Sequence, residues 1–266
     1  MAKDFSATRL PGFTTIAIGT FVLLYLPIAT LVIYSFNANE TVSNWGGFSL
    51  TWYAKAWGNE AVQKATWLTA QLAAIAAGLS TVIATMAALG TTRRTPFRGQ
   101  TAIYVLINQP IMVPEIVAAA ALLIFFAMIK VSTGYQGIGY LVLAHTAFCI
   151  PFAYLPIRAR LEGMDAALEV AAGDLYASPW QTFRHVTLPL MAPGVLAGAM
   201  LAFVISLDDV IITEFIKSAG QETLPTYMLG QIKRAVTPEI NAVSTVLLGF
   251  TVLLLTAFFL ITRKRD

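Results

Sequence analysis

Four carboxylates lie inside or at the edges of strongly apolar stretches: Glu115, Asp208, Asp209 and Glu214. If those stretches cross a bilayer, each acid is expensive. A charge at the membrane centre costs about 2.5–3.5 kcal/mol on insertion scales. No lysine or arginine lies deep in the same stretches, since Lys130 and Lys217 stand at their ends. The acids therefore need a proton, water, a partner chain or a cationic ligand. On a continuous helix Asp208 and Asp209 point about 100° apart, so they cannot both face one path. Asp209 shares a face with Ser206 and Thr213, which makes it the better candidate to line a path, with Asp208 packed against a neighbouring helix. Glu115 directly follows Pro114. A break there would leave it at the start of a half-helix, where free N–H groups and the dipole stabilise it without any ligand. Glu214 is placed to pair locally with Lys217.

Other chemistry is thin. An aspartyl protease needs two carboxylates that face each other and share a proton. Adjacent Asp208 and Asp209 cannot do this, and a second aspartate deep in another span is missing. His145 and His185 lack a partner at ligand spacing and read as packed or interfacial histidines. The single Cys149 permits no internal disulfide and no cysteine-based metal site. No G-x-x-x-x-G-K-[S/T] occurs, so the chain lacks the phosphate cradle and its lysine. If ATP drives its work, another chain binds the nucleotide.

The elements that must position these residues follow from composition. The chain has 266 residues, 57% hydrophobic and 12% charged, against about 25% charged in a typical soluble domain. The bilayer is the solvent that accommodates such a chain. A spanning helix needs roughly 20 mostly apolar residues. Six windows qualify, near 13–34, 65–89, 102–129, 137–157, 194–216 and 241–261. The first is too long for a typical signal-peptide core and no small-x-small cleavage site follows it, so it reads as a retained helix. The spans predict an all-α membrane protein built as a single domain over 1–266.

Basic residues orient it. Lys3, Arg9, Arg93, Arg94, Arg98, Arg158, Arg160, Arg184, Arg263, Lys264 and Arg265 fall on one side. Lys55, Lys64, Lys130, Lys217, Lys233 and Arg234 fall on the other. The excess places both termini in the cytoplasm. The basic residues form no stripe, which sets nucleic-acid binding aside.

The connection 158–193 is then cytoplasmic, too long for a turn and too apolar for a disordered linker. Asp165 can cap a helix over 166–175. Ser178-Pro179-Trp180-Gln181 reads as a second helix start, with Ser at the N-cap, Pro at N1 and Gln at N3. Pro189 and Pro193 are expected to close the element before the fifth span. Along that span Gly194, Gly198, Ala202 and Ser206 recur at four-residue spacing, a small-residue face that lets two helices approach closely. The face fits packing within the chain or a sliding contact with a partner.

The same connection carries Val170-Ala171-Ala172, then Tyr176, then Val186-Thr187-Leu188-Pro189. This spacing resembles the EAA loop of type I ABC importer permeases: E-A-A, three residues, G, nine residues, I-x-L-P. Two positions depart. The family's glutamate falls on Val170, with Glu169 one residue earlier as the candidate to replace it. The family's glycine falls on Tyr176, and tyrosine enters the left-handed backbone region less cheaply than glycine. Ser206-Leu207-Asp208-Asp209-Val210, Thr223-Leu224-Pro225, 237–242 (TPEINA), Pro114-Glu115-Ile116-Val117 and 48–53 (FSLTWY) are similar to the spermidine/putrescine class of permease, the PotC type. The similarity extends over nearly the whole chain.

The resemblance implies a type I importer fold in a bacterial inner membrane. Two permease subunits pair, two cytoplasmic ATPases bind ATP and Mg, and a periplasmic binding protein delivers a polyamine or related cation. This chain itself would bind no cofactor. Its contact with the ATPase would run through Glu169, Val170, Ala171, Ala172, Leu175, Tyr176, Ala177, Leu188 and Pro189, and its substrate path past Asp209, Asp208, Glu115, Ser206 and Thr213. Buried acids argue against an anionic cargo but leave open another small solute such as an amino acid. A secondary transporter or channel is the further alternative, and leaves the loop unexplained.

Overall fold

The computed structural model describes residues 12–93, 97–234 and 237–263, the last three without their side chains. Of the residues used for orientation, Lys3, Arg9, Arg94, Lys264 and Arg265 lie outside these, as does the side chain of Arg263. The described elements are helices: α1 Phe13–Tyr34, α2 Thr51–Gly58, α3 Glu60–Thr92, α4 Gln100–Met112, α5 Glu115–Thr133, α6 Gly139–Glu162, α7 Ala167–Asp174, α8 Pro179–Thr182, α9 Leu188–Asp208, α10 Ile211–Ile216, α11 Leu224–Ile232 and α12 Pro238–Arg263. A π-helical turn, Phe183–Thr187, joins α8 to α9. Six helical stretches are long and apolar enough to cross a membrane: Phe13–Tyr34, Glu60–Thr92, Glu115–Thr133, Gly139–Glu162, Pro179–Asp208 and Pro238–Leu260.

Two of the expected spans are broken. The window 102–129 divides into α4 and α5, because a residue before proline is driven out of the helical region. Val113 has ψ 135° and Pro114 ψ 129°. The window 194–216 is shifted as well as broken. Its helix runs on from Pro179 and ends at Asp208; Asp209, at ψ 132°, is extended, and α10 restarts beyond it. Pro189 and Pro193 do not terminate anything. Pro189 follows the wide π turn, where the N–H of Leu188 bonds the carbonyl of Phe183 rather than the usual partner. That turn takes up the missing donor and the ring that would otherwise distort an α-helix.

The described residues form two compact units, those within 1–60 and 230–250 and those within 61–229 and 251–266. In the first, α1 buries none of its residues. The turn after it is organised by Asn37, whose amide donates to the carbonyls of Thr41 and Asn44 and accepts from the N–H of Gly46. Trp52 of α2 donates its indole N–H to the Asn37 carbonyl at 2.8 Å. Asn59 donates to Glu239 at 2.9 Å.

The second unit has two apolar clusters. One gathers Ala77, Ala84 and Ala88 of α3 with Cys149, Ala153, Tyr154 and Ile157 of α6 and Met191 and Ala202 of α9. The other joins Leu72 of α3, Ala119 and Phe126 of α5, Leu141 and Ala144 of α6, and Ile212 and Ile216 of α10. The small-residue face of α9 lies against α6. A Cβ added at Gly194 would come within 2.6 Å of Arg160 Cβ, and one added at Gly198 within 2.6 Å of the Ala153 carbonyl oxygen. It is therefore packing within the chain that requires those glycines.

Candidate functional site

Both helix breaks contribute an acid to one place. Glu115 is the first residue of α5 and half-buried. Asp209 is the extended residue between α9 and α10, and only 7% exposed. The two carboxyl groups are near enough to interact electrostatically. Two neighbouring carboxylates repel each other unless a proton or a cation lies between them. The pair that forms is thus Asp209 with Glu115, not Asp209 with Asp208. Asp208 is the last residue of α9 and is exposed.

Asp209 also starts α10. Its Oδ1 accepts the N–H of Ile212 at 3.3 Å; its Oδ2 accepts the N–H of Thr213 at 2.9 Å and the Thr213 hydroxyl at 2.6 Å. A carboxylate in this capping role satisfies N–H groups that a helix start leaves free. His145 of α6 completes the cluster. Its Nδ1 is 2.8 Å from Ser206 Oγ, and its Nε2 is 2.9 Å from Thr213 Oγ1 and 3.4 Å from Asp209 Oδ2. Ser206 and Thr213 therefore do not share a face with Asp209 on one helix. They meet it because His145 holds one on each side of the break. Sequence spacing gave no sign of this, since His145 is 61 and 68 residues from its partners. Glu214, by contrast, pairs with Lys217 at 2.8 Å as its spacing predicts.

No lysine or arginine among the described ion pairs reaches Glu115, Asp208 or Asp209. The site is a pair of neighbouring acids, Asp209 backed by neutral donors, with Asp208 exposed nearby in sequence. That arrangement can attract a cation. A separate cavity of about 360 Å³, lined by Thr91, Gln100, Thr101, Tyr104, Tyr154 and Arg158, lies roughly 14–20 Å from His145 along α6.

Both expected helix starts form, although α7 begins one residue later, with Ala166 at its N-cap, and α8 runs on through the π turn into α9. Asp165 Oδ1 accepts the Ala167 N–H at 2.9 Å, and Ser178 and Gln181 make the reciprocal capping box before Pro179. Between them Tyr176 has φ +59°, so it adopts the left-handed conformation that glycine takes cheaply. Its N–H bonds the Gly173 carbonyl, and the Ala177 N–H bonds the Ala172 carbonyl. Val170, Ala171, Leu175, Tyr176, Leu188 and Pro189 are exposed; Ala172 and Ala177 are half-buried. Glu169 faces inward. Its Oε1 accepts the Thr187 hydroxyl at 2.8 Å and lies 3.3 Å from Arg93 Nε. It ties α7 to the π turn and to the end of α3, a connection the motif alone did not reveal.

The model of the family "Binding-protein-dependent transport system inner membrane component" matches residues 80–264. The putrescine transport system permease protein PotI of Escherichia coli K12 is 34% identical over 250 residues, covering 93% of this chain and 89% of that one. The spermidine/putrescine transport system permease protein PotC of Haemophilus influenzae is 36% identical over 246 residues, covering 92% and 94%. Among solved structures, a bacterial ABC transporter involved in import of the acidic polysaccharide alginate matches with TM-score 0.70 at 13% identity, covering 95% of this chain and 93% of that one. The MetNI methionine ABC transporter, in an inward-facing conformation, matches with TM-score 0.64 at 17% identity, covering 76% and 94%. These two establish a shared permease fold. With the family matched over most of its length and relatives above 30% identity along nearly all of it, the chain belongs to the inner-membrane components of binding-protein-dependent transport systems.

Proposed function

We propose that this chain is a permease subunit that imports a polyamine, spermidine or putrescine, or a closely related cation. The observation that carries the reading is the nearness of Glu115 and Asp209 at two broken spans, with no lysine or arginine among the described ion pairs to neutralise them. The names of the similar permeases point to the same cargo. A polyamine ammonium pairs with the acids as the path opens, Glu115 and Asp208 being the more accessible and Asp209 lying behind them. Ser206 and Thr213 support Asp209 from within.

Residues 1–266 work as one permease domain, with both termini cytoplasmic, paired with a second permease subunit. Two ATPase subunits bind ATP and Mg, and a periplasmic binding protein delivers the solute. The exposed residues Val170, Ala171, Leu175 and Tyr176, with Ala172, Ala177, Leu188 and Pro189 around them, meet the ATPase, while Glu169 fixes the loop from behind. ATP binding closes the ATPases, and the loop carries that movement through the π turn into α9. The pair opens outward, accepts solute, then resets inward; differential contacts in the two states supply the coupling.

The test is uptake of labelled spermidine and putrescine into vesicles holding the complete complex, with binding protein outside and ATP inside. ATP-dependent accumulation that excess unlabelled polyamine competes away, and an anionic solute does not, is the expected result. Accumulation of neither polyamine would remove the cargo assignment.

A further inference from the structure

The hydrogen-bond geometry around His145 fixes more than its burial. The Thr213 hydroxyl has one hydrogen, and its 2.6 Å contact with Asp209 Oδ2 uses it. At the 2.9 Å contact between Thr213 Oγ1 and His145 Nε2 the ring must therefore be the donor. Nδ1 then has two options. In a neutral ring it accepts the Ser206 hydroxyl hydrogen at 2.8 Å. In a charged ring it would donate, and the buried Ser206 hydroxyl hydrogen would need another acceptor. Among the described hydrogen bonds Ser206 has none besides His145. The neutral ring with hydrogen on Nε2 is thus the state that satisfies every member.

The result is a directed chain of donors: Ser206 to His145, His145 to Thr213, Thr213 to Asp209. It crosses from α9 to α6 to α10, and so bridges the break that separates Asp208 from Ile211. His145 is 2% exposed, Ser206 3% and Thr213 fully buried, so water cannot replace any link. We infer that His145 is a positioning residue: as a neutral Nε2–H imidazole it pins both halves of the broken span to α6 and keeps Asp209 an acceptor turned toward Glu115. The inference rests on the transport reading of that acid pair. His145 touches no cargo and acts through Thr213 and Asp209.

A histidine that merely fills space would tolerate an apolar side chain of similar size. A positioning histidine would tolerate glutamine, whose amide also carries one acceptor and a donor, but not leucine. In the assembled complex, H145L should lose polyamine uptake roughly tenfold, as expected when buried hydrogen-bonding groups lose their partner. H145Q should stay within about threefold of the parent by the same reasoning. Adding H145L to D209N should cost little beyond D209N alone, because both act through one network. The cargo-independent readout is the nitrogen NMR of the ring. The chain has two histidines, so a complex carrying H185Q and labelled histidine in this subunit reports His145 alone. One protonated nitrogen, assigned to Nε2, and one bare nitrogen are expected. A ring protonated on both nitrogens or on Nδ1 alone, full uptake by assembled H145L, or multiplying losses in the double variant would each overturn the inference. If the parent complex takes up neither polyamine, the cargo reading fails, and the NMR spectrum still decides the state of His145.

Discussion

Gly198 of α9 packs so closely on Ala153 of α6 that a Cβ would meet the Ala153 carbonyl oxygen at 2.6 Å. The obstacle is backbone, which cannot swing aside as a side chain would. Replacing Gly198 by alanine should therefore part the two helices and cost about 1–3 kcal/mol, the usual range for overpacking. Gly78 of α3 has nothing within 4 Å of the same added atom and is the control. Thermal unfolding of the purified complex should show G198A melting lower, and G78A unchanged or higher because alanine favours helix. Equal melting of G198A and the parent would mean that α6 and α9 do not need this contact.

Tyr176 holds a left-handed turn between α7 and α8 while it is 97% exposed. The conformation costs a non-glycine residue about 1–2 kcal/mol. Y176G should relieve that strain and assemble with the ATPase at least as well as the parent. Y176V should assemble poorly, since a β-branched residue resists positive φ. Recovery of intact complex after solubilisation measures both. Parent-like assembly of Y176V would show that docking does not depend on this turn.

Glu169 joins Arg93 and Thr187, so its partners should matter as much as Glu169 itself. R93A and T187V should each lower uptake per ATP hydrolysed, by roughly two- to tenfold for loss of one partly buried contact, while hydrolysis continues. E169A should match or exceed the larger loss. Cysteine at Leu175, which is 82% exposed, should cross-link to cysteines on the ATPase surface. Full coupling in both R93A and T187V, with E169A impaired, would instead make Glu169 a direct contact to the ATPase.

Much of this architecture was written locally. Six apolar stretches, the Asp165 cap, the Ser178–Gln181 capping box and the Glu214–Lys217 pair all depend on residues within a few positions of one another. Pro114 likewise announced the break before Glu115. The break after Asp208 had no such mark. The stretch 206–213 (SLDDVIIT) contains neither glycine nor proline, and its helix ends because Asp209 caps α10 and His145 grips both sides. The aspartate before a β-branched run was the one local hint of a helix start. Pro189 and Pro193 misled in the opposite sense, because a π turn hides the missing donor. The acids of the site were visible as chemistry, but their pairing was not, because it joins two spans whose continuity composition alone suggests.

The three acids should differ in a graded way. Glu115 and Asp209 are electrostatic neighbours, and a cation that enters beside them gains from both. Asp208 has no ion pair or hydrogen bond among those described and lies exposed at the end of α9. At a partly wet site the gain is only a few kcal/mol, because desolvation offsets much of the Coulomb attraction. Such a moderate affinity also lets the cargo leave. Asp209→Asn keeps the shape and an acceptor for the α10 N–H groups but removes the charge. It should reduce labelled polyamine uptake by roughly tenfold or more, with membrane level and ATPase assembly unchanged. Glu115→Gln should cause a similar loss, and the two together should lose less than the product of the single effects, as expected for groups that interact. Asp208→Asn should lose less than either. Uptake by D209N at the parent's rate and concentration dependence would leave Asp209 as a helix cap alone. A loss in D208N equal to that in D209N would move the cargo's path to the exposed acid and away from the buried pair.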